Sequence, residues 1–163
     1  MNKKLATQDR SALIRLASGL EPGSTERVAI LSELTKQSGQ KFNIPGVHIL
    51  DNAEVGGEAE VYGHAVVSDK AKVYGNAKVF GRAKVYGRAD VGGDAQVFGD
   101  AEVWGDAEVS GRALVYGKAK VSGYAHVYGK AEVSGDAVIL GGNWDGSEGP
   151  ITYGRWKAPG VPA

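Results

Sequence analysis

Residues 95–111 read Ala-Gln-Val-Phe-Gly-Asp-Ala-Glu-Val-Trp-Gly-Asp-Ala-Glu-Val-Ser-Gly, in which the six-residue phrase Ala-x-Val-x-Gly-x recurs. The same period runs through residues 47–142 as sixteen units without an insertion. A strict period means that each unit buries its apolar side against neighbouring copies of itself. The repeat therefore predicts a solenoid built by stacking.

Within each unit, the alternation of alanine and valine predicts a short strand with two inward side chains. The glycine that follows predicts a corner whose backbone needs a positive φ. Asp51 and Asp69 stand where two of these glycines would be, and aspartate is among the few residues that tolerate this backbone region. The two substitutions thus support the assignment of the corner.

The repeat resembles the hexapeptide-repeat family over residues 47–142. The resemblance implies an all-β fold, a left-handed parallel β-helix with three strands per coil and about 18 residues per turn. Sixteen units then form about five coils. Many members of the family are acyltransferases that work as trimers, so the resemblance also implies a homotrimer and, in an enzyme, a catalytic histidine.

The residues before the repeat predict a separate unit, an α-helical hairpin over residues 1–43. Two stripes of apolar side chains have helical spacing, and Pro22 and Gly23 break the helix between them. Two short helices cannot bury both stripes by themselves, so we expect the hairpin to cap the solenoid or to dock onto a partner. The docking stripe comprises Leu13, Leu16, Leu20, Val28 and Leu31.

Residues 44–142 are the predicted β-helix, and residues 143–163 lose the six-residue period. This last segment holds Trp144, Tyr153 and Trp156 among three prolines. Because an uncovered solenoid end exposes strand edges, we expect this segment to form an irregular C-terminal cap or a docking tail.

The composition excludes several classes of function. The chain has 19 acidic and 19 basic residues, so no net field favours nucleic acid or an anionic membrane. It has no cysteine, which removes disulfides, thiolate metal sites and a cysteine nucleophile. Residues 1–9 lack an apolar run, which predicts a cytosolic product, including a viral protein made in a host cytoplasm or carried in a virion.

At about 18 residues per turn, positions three repeat units apart become neighbours along the rod. The outward position after valine then carries four rings in one column and two in another. Exposed aromatic side chains in a strip are typical of an interface between copies or with a partner. The candidate interface residues are Tyr62, Phe80, Phe98, Tyr116, Tyr86 and Trp104.

Charge also follows the coil length, because acidic and basic bands alternate along the repeat. The vertical columns predict pairs of opposite charge, such as Lys84, Glu102 and Lys120, whereas Asp90 beside Glu108 is a mismatch. Each exposed pair contributes only about 0–1 kcal/mol, but a slip by one unit breaks many pairs at once. We therefore interpret these charges as control of register.

The enzyme hypothesis depends on the histidines His48, His64 and His126, because a histidine is suited to act as a general base near neutrality. His64 and His126 are the candidate catalytic residues of the alternative function, an acyltransferase that uses acetyl-coenzyme A. Both take outward positions where other units place charged residues. The two lie far apart in sequence, so no metal site and no other cofactor is predicted.

The sequence favours a non-enzymatic structural or interaction protein, a rigid rod that mediates self-assembly or partner docking. The predicted partners are further copies of the chain, with a trimer favoured, or a larger protein assembly. Residues 11–31 resemble the leading segments of phage-encoded proteins, which suggests a virion accessory or host-interaction protein.

Overall fold

The computed structural model describes residues 42–44, 47–159 and 161–162, and these form a parallel β-solenoid of about six turns. None of the described residues is helical, so this part of the chain holds no helix that could cross a membrane. The predicted hairpin, with Leu13, Leu16, Leu20, Val28 and Leu31, lies outside the described residues.

Three flat faces run along the rod, and we name each by its strands. Face 1 is a separate five-stranded sheet. Its strands are β4 (Glu60–Val61), β7 (Lys78–Val79), β10 (Gln96–Val97), β13 (Leu114–Val115) and β15 (Glu132–Val133).

Faces 2 and 3 belong to one larger sheet, because two long strands bend from one face to the other. Face 2 contains β2 (Val47–Ile49), β5 (Val66–Val67), β8 (Lys84–Val85), β11 (Glu102–Val103) and the first residues of β14 (Lys120–Val127) and β16 (Val138–Trp144). Face 3 contains β3 (Glu54–Val55), β6 (Lys72–Val73), β9 (Asp90–Val91), β12 (Glu108–Val109) and the last residues of β14 and β16.

The turn length of about 18 residues that the resemblance implied is confirmed by the strand register. Val79 pairs with Val97, and Val97 pairs with Val115, in each case three repeat units further along the chain. Backbone amides donate to carbonyls of the next turn, as in the 2.9 Å bond from the amide of Tyr74 to the carbonyl of Val91. The strands are therefore parallel, and the rod is held together by hydrogen bonds along its axis.

Alanine and valine fill the core, as the alternation predicted. The repeat alanines from Ala59 to Ala137 and the valines from Val61 to Val133 are at most 3% exposed. Valine lies under the flat sides, and each buried valine contributes roughly 1.5–3 kcal/mol of transfer free energy before entropy is subtracted. Because the core is uniform, stability is close to a sum over turns.

Positive φ occurs at the corners, as predicted. Asp51 and Asp69 have φ of 60° and 61°, and Gly93 has 65°. The corner glycines also stack closely, because a Cβ at Gly93 would lie only 2.9 Å from the amide nitrogen of Gly111. Glycine is therefore required here for its backbone conformation and for the close approach of the next turn.

The rod has about six turns where the sequence predicted about five, because residues beyond the regular repeat complete another turn. Trp144 pairs with Val127, Ile151 bridges to Val133, and Trp156 pairs with Ile139. The three large side chains thus continue the three valine columns and pack on the end of the core. Trp144 is 1% exposed.

Short strands flank the ends of face 2. β1 (Phe42–Ile44) pairs antiparallel with β2, β17 (Arg155–Ala158) pairs parallel with β16, and β18 (Val161–Pro162) pairs antiparallel with β17. Such strands cover sheet edges that would otherwise offer free backbone groups.

Replacing Gly93 by alanine tests the corner. A left-handed backbone costs an alanine about 1–2 kcal/mol, and the contact with Gly111 adds to this cost. We expect Gly93→Ala to lower the melting temperature clearly. Gly56→Ala is the matched control, because a Cβ there meets nothing within 4 Å and φ is not positive. Equal melting temperatures for both variants would contradict the assignment.

Truncating Trp144 tests whether the end of the core needs the irregular turn. We expect Trp144→Ala to cost about 3–5 kcal/mol, as for other buried tryptophans. Thermal unfolding followed by circular dichroism measures the loss. Tyr153→Ala removes an aromatic side chain that is 76% exposed in the same segment and should change little. A small loss at Trp144 would mean that this turn does not seal the core.

Candidate interaction surface

Four aromatic rings form a continuous ladder along face 1, as the spacing predicted. Successive ring centroids of Tyr62, Phe80, Phe98 and Tyr116 lie 4.9, 4.8 and 4.9 Å apart. The ring planes differ by only 2–3° from one ring to the next. Neighbouring strands of most sheets are rotated by about 20–25°, so face 1 is unusually flat.

The ladder is part of the fold as well as a surface. All four rings are half-buried, because each covers the faces of its neighbours. At the end of the ladder the Tyr116 hydroxyl donates a hydrogen bond to the carboxylate of Glu132. At the other end, burial raises the pKa of Tyr62 above its ordinary value, against the opposing charge of Lys78. What remains accessible is the row of ring edges.

The faces of the inner rings are not available to a stacking ligand. Carbon atoms in van der Waals contact lie about 3.5–4.0 Å apart, so a flat ligand between two rings needs about 7–8 Å. The observed spacing of Phe80 and Phe98 is 4.8 Å. The ladder can therefore accept a flat partner surface along its edges, but not a sugar or a base between its rings.

Face 2 carries the second predicted pair of rings. The centroids of Tyr86 and Trp104 lie 5.7 Å apart with planes 2° from parallel. Ser68 and Ser122 occupy the same outward position in the adjoining turns, so this pair is isolated. Burial raises the pKa of Tyr86, and the carboxylates of Glu102 and Asp69 add to the effect.

Face 3 contains exposed tyrosines for which no role was predicted. Tyr74 and Tyr128 are 43% and 40% exposed. The ring of Tyr74 lies over Gly92, where a Cβ would collide with it. The signal in the sequence was the glycine three repeat units after Tyr74, because a missing side chain leaves room for the ring of the turn before it.

Several of the predicted charge pairs are present in the columns. Glu102 lies 3.3 Å from Lys84 Nζ and 3.8 Å from Lys120 Nζ. Arg82 Nε lies 3.3 Å from Asp100 Oδ1, and Arg88 Nε lies 2.7 Å from Asp106 Oδ1. Each pair joins adjacent turns, so charge pairing favours the observed register.

The predicted mismatch on face 3 is confirmed, because Asp90 pairs directly with Glu108. Burial raises the pKa of the Asp90 carboxyl, the charges of Glu108 and Glu54 raise it further, and Lys72 opposes them. Beyond Glu108 lies His126, whose Nδ1 is 3.7 Å from Glu108 Oε2. This contact is an ion pair when the imidazole is protonated.

The structure does not bring the candidate catalytic histidines together. His64 lies in the exposed turn between faces 1 and 2, whereas His126 lies on face 3. More than three turns separate them, which is about 16 Å along the axis. Among the described residues, no group of three His, Asp or Glu side chains could hold a metal ion.

Comparison with protein-family models found no match to this chain. Comparisons with curated proteins and with solved structures found none either.

Replacing Asp90 by asparagine tests the mismatch. When the pKa of a carboxyl is raised in the folded state, that group stabilises the folded protein at pH values below its unfolded pKa of about 4. This stabilisation is lost as the pH rises through the folded pKa. We therefore expect Asp90→Asn to be more stable than the original protein at pH 7, by a few tenths of a kcal/mol. Melting temperatures measured from pH 3 to pH 7 should show the difference disappearing towards low pH.

Asp100→Asn is the matched control, because Asp100 pairs with Arg82 instead of with a second acid. It should leave the stability at pH 7 unchanged or lower it slightly. A loss of stability in Asp90→Asn at neutral pH would contradict the repulsion between Asp90 and Glu108.

Proposed function

We propose that this protein is a non-enzymatic structural or interaction protein, a rigid β-solenoid rod that self-assembles through the aromatic ladder of face 1. The observation that carries the proposal is the ladder itself, four rings at 4.8–4.9 Å on one flat sheet. Tyrosine and phenylalanine are enriched at interfaces, and an apolar strip on a soluble surface is typical of a contact site.

Rigidity supports this function. Hydrogen bonds from turn to turn fix the spacing of the rings, and the ring planes hardly rotate along the rod. A flat, preorganised surface loses little conformational entropy when a partner covers it. A second flat surface of the same kind is the simplest partner that such a face fits.

The proposal also includes the family of the protein and its biological setting. Membership of the hexapeptide-repeat family, and with it the left-handed winding, is supported by the Ala-x-Val-x-Gly-x repeat. A phage accessory or host-interaction role, in a host cytoplasm or a virion, is supported by the resemblance of residues 11–31. The alternative, acyl transfer with His64 or His126 as base, has no specific support from the positions of these two side chains.

Removing the inner rings tests the proposal. Phe80→Ser/Phe98→Ser should fold, because Ser68, Ser110 and Ser134 occupy the equivalent outward position in other units. We expect the molar mass in light scattering to fall from that of an oligomer to that of the monomer. The melting temperature confirms folding, since lost stacking lowers it without abolishing the transition.

Tyr86→Ser/Trp104→Ser is the matched control, because it removes the same number of rings from face 2. It should keep the oligomer intact. Dissociation of this variant alone would move the interface to face 2, and a monomer in the unaltered protein would overturn the proposal.

A further inference from the structure

The charged side chains sort by turn, so that the rod carries collars of one sign. Residues 89–108 contain six acidic residues and no lysine or arginine. The collars on either side are basic: residues 70–88 carry Lys70, Lys72, Lys78, Arg82, Lys84 and Arg88, and residues 112–120 carry Arg112, Lys118 and Lys120. Two copies that pack side by side must accommodate these collars.

Parallel packing brings like charges together. In any parallel, in-register arrangement, including a trimer about one axis, residues at the same height face each other, so the acidic collar meets an acidic collar. Like charges brought together across an interface cost affinity and select against such a partner. The collars therefore disfavour the parallel trimer that the resemblance implies.

On face 1, the charged columns beside the ladder also disfavour a parallel pair. A central column, Glu60, Lys78, Gln96, Leu114 and Glu132, lies on one side of the ladder, and a corner column, His64, Arg82, Asp100, Lys118 and Asp136, lies on the other. A parallel twofold axis along the ladder sets the central column of one copy against the corner column of the other. Lys78 then faces Arg82, and Glu132 faces Asp136.

An antiparallel pair removes these clashes. A twofold axis that lies in the plane of face 1, perpendicular to the rod, sets each column of one copy against the same column of the other in reverse order. When this axis falls between two turns, basic turns face acidic turns. With the axis midway between Phe80 and Phe98, the ladder lies on the ladder: Tyr62 faces Tyr116, and Phe80 faces Phe98. Arg82 then faces Asp100 of the second copy.

We propose that the partner of face 1 is a second copy of this chain, packed antiparallel with its twofold axis between the turns of Phe80 and Phe98. This inference rests on the proposed self-association and adds its direction, register and stoichiometry. Arg82 and Asp100 already pair at 3.3 Å within one chain. In the dimer the two pairs form a network of four charges of alternating sign, centred beside the ladder.

The flatness of face 1 allows this contact to extend along the rod. About this axis the four turns from Tyr62 to Tyr116 overlap, and at about 4.8 Å a turn and about 20 Å of width they give roughly 800 Å² of flat surface for two copies. This area is that of a weak, transient contact and not of a stable interface. The dimer therefore depends on concentration, and its mass must be measured over a range of protein concentrations.

Single cysteines test the direction, because the chain has no cysteine of its own. Glu60 and Leu114 lie in the central column, three turns or about 14 Å apart along the axis. In the proposed dimer, Glu60 of one copy faces Leu114 of the other. We expect a mixture of Glu60→Cys and Leu114→Cys to be joined by a bis-maleimide whose reach is shorter than three turns, and each variant alone to remain unjoined.

The other outcomes separate the two proposals. Efficient cross-linking of a mixture of Glu60→Cys and His64→Cys, which face each other in the parallel pair but not in the antiparallel one, would show parallel packing and overturn this inference while leaving self-association intact. An oligomer with no cross-link between Glu60→Cys and Leu114→Cys would overturn the register. A monomeric mass at every concentration would overturn the proposed function as well.

Charge reversal gives an independent test of register. Arg82→Asp places like charges together within the chain and across the dimer, and should weaken dimerisation at least tenfold. Arg82→Asp/Asp100→Arg restores opposite signs in both contacts and should recover most of the affinity. If the double variant is folded and remains as weak as the single one, the proposed pairing of Arg82 with Asp100 is wrong.

Discussion

The structure depends on the corners of the repeat units, at which the backbone adopts a positive φ from Asp51 to Gly135 and lies against the next turn. At Gly93 both conditions hold, since its φ is 65° and a Cβ would crowd the backbone of Gly111. These corners set a constant length for each side and therefore a constant turn of three repeat units. Without that constancy, the valine columns, the ring ladder and the charge pairs would not be aligned.

Because the turn length is constant, residues three repeat units apart in sequence are neighbours in the structure. This is why so much of the surface could be predicted. The ladder, the column of Lys84, Glu102 and Lys120, and the mismatch of Asp90 with Glu108 all follow from counting three units along the chain. The corner role of Asp69 followed from its residue type, because aspartate tolerates a positive φ. In each case a local rule and the repeat indicated the same geometry.

The final turn could not be predicted because its spacing departs from the repeat. Trp144 pairs with Val127 and Trp156 with Ile139, each one residue short of three full units, whereas Ile151 lies three full units after Val133. The register shifts between Val121 and Tyr124, and no period in the sequence marks that shift. Tertiary packing decides this turn, because the end of the core must be covered by large apolar side chains.

The same regularity that stabilises one rod also limits how two rods can meet. Rings fixed at 4.8 Å cannot admit a ring between them, so contact through the ladder involves ring edges and the columns beside it. Those columns alternate in sign because opposite charges stabilise the stacking of turns, as between Arg82 and Asp100. The alternation of charge that stabilises the stacking of turns within one chain therefore also restricts how two chains can pair. Two such rods have complementary charges when they run in opposite directions and are related by a twofold axis between turns.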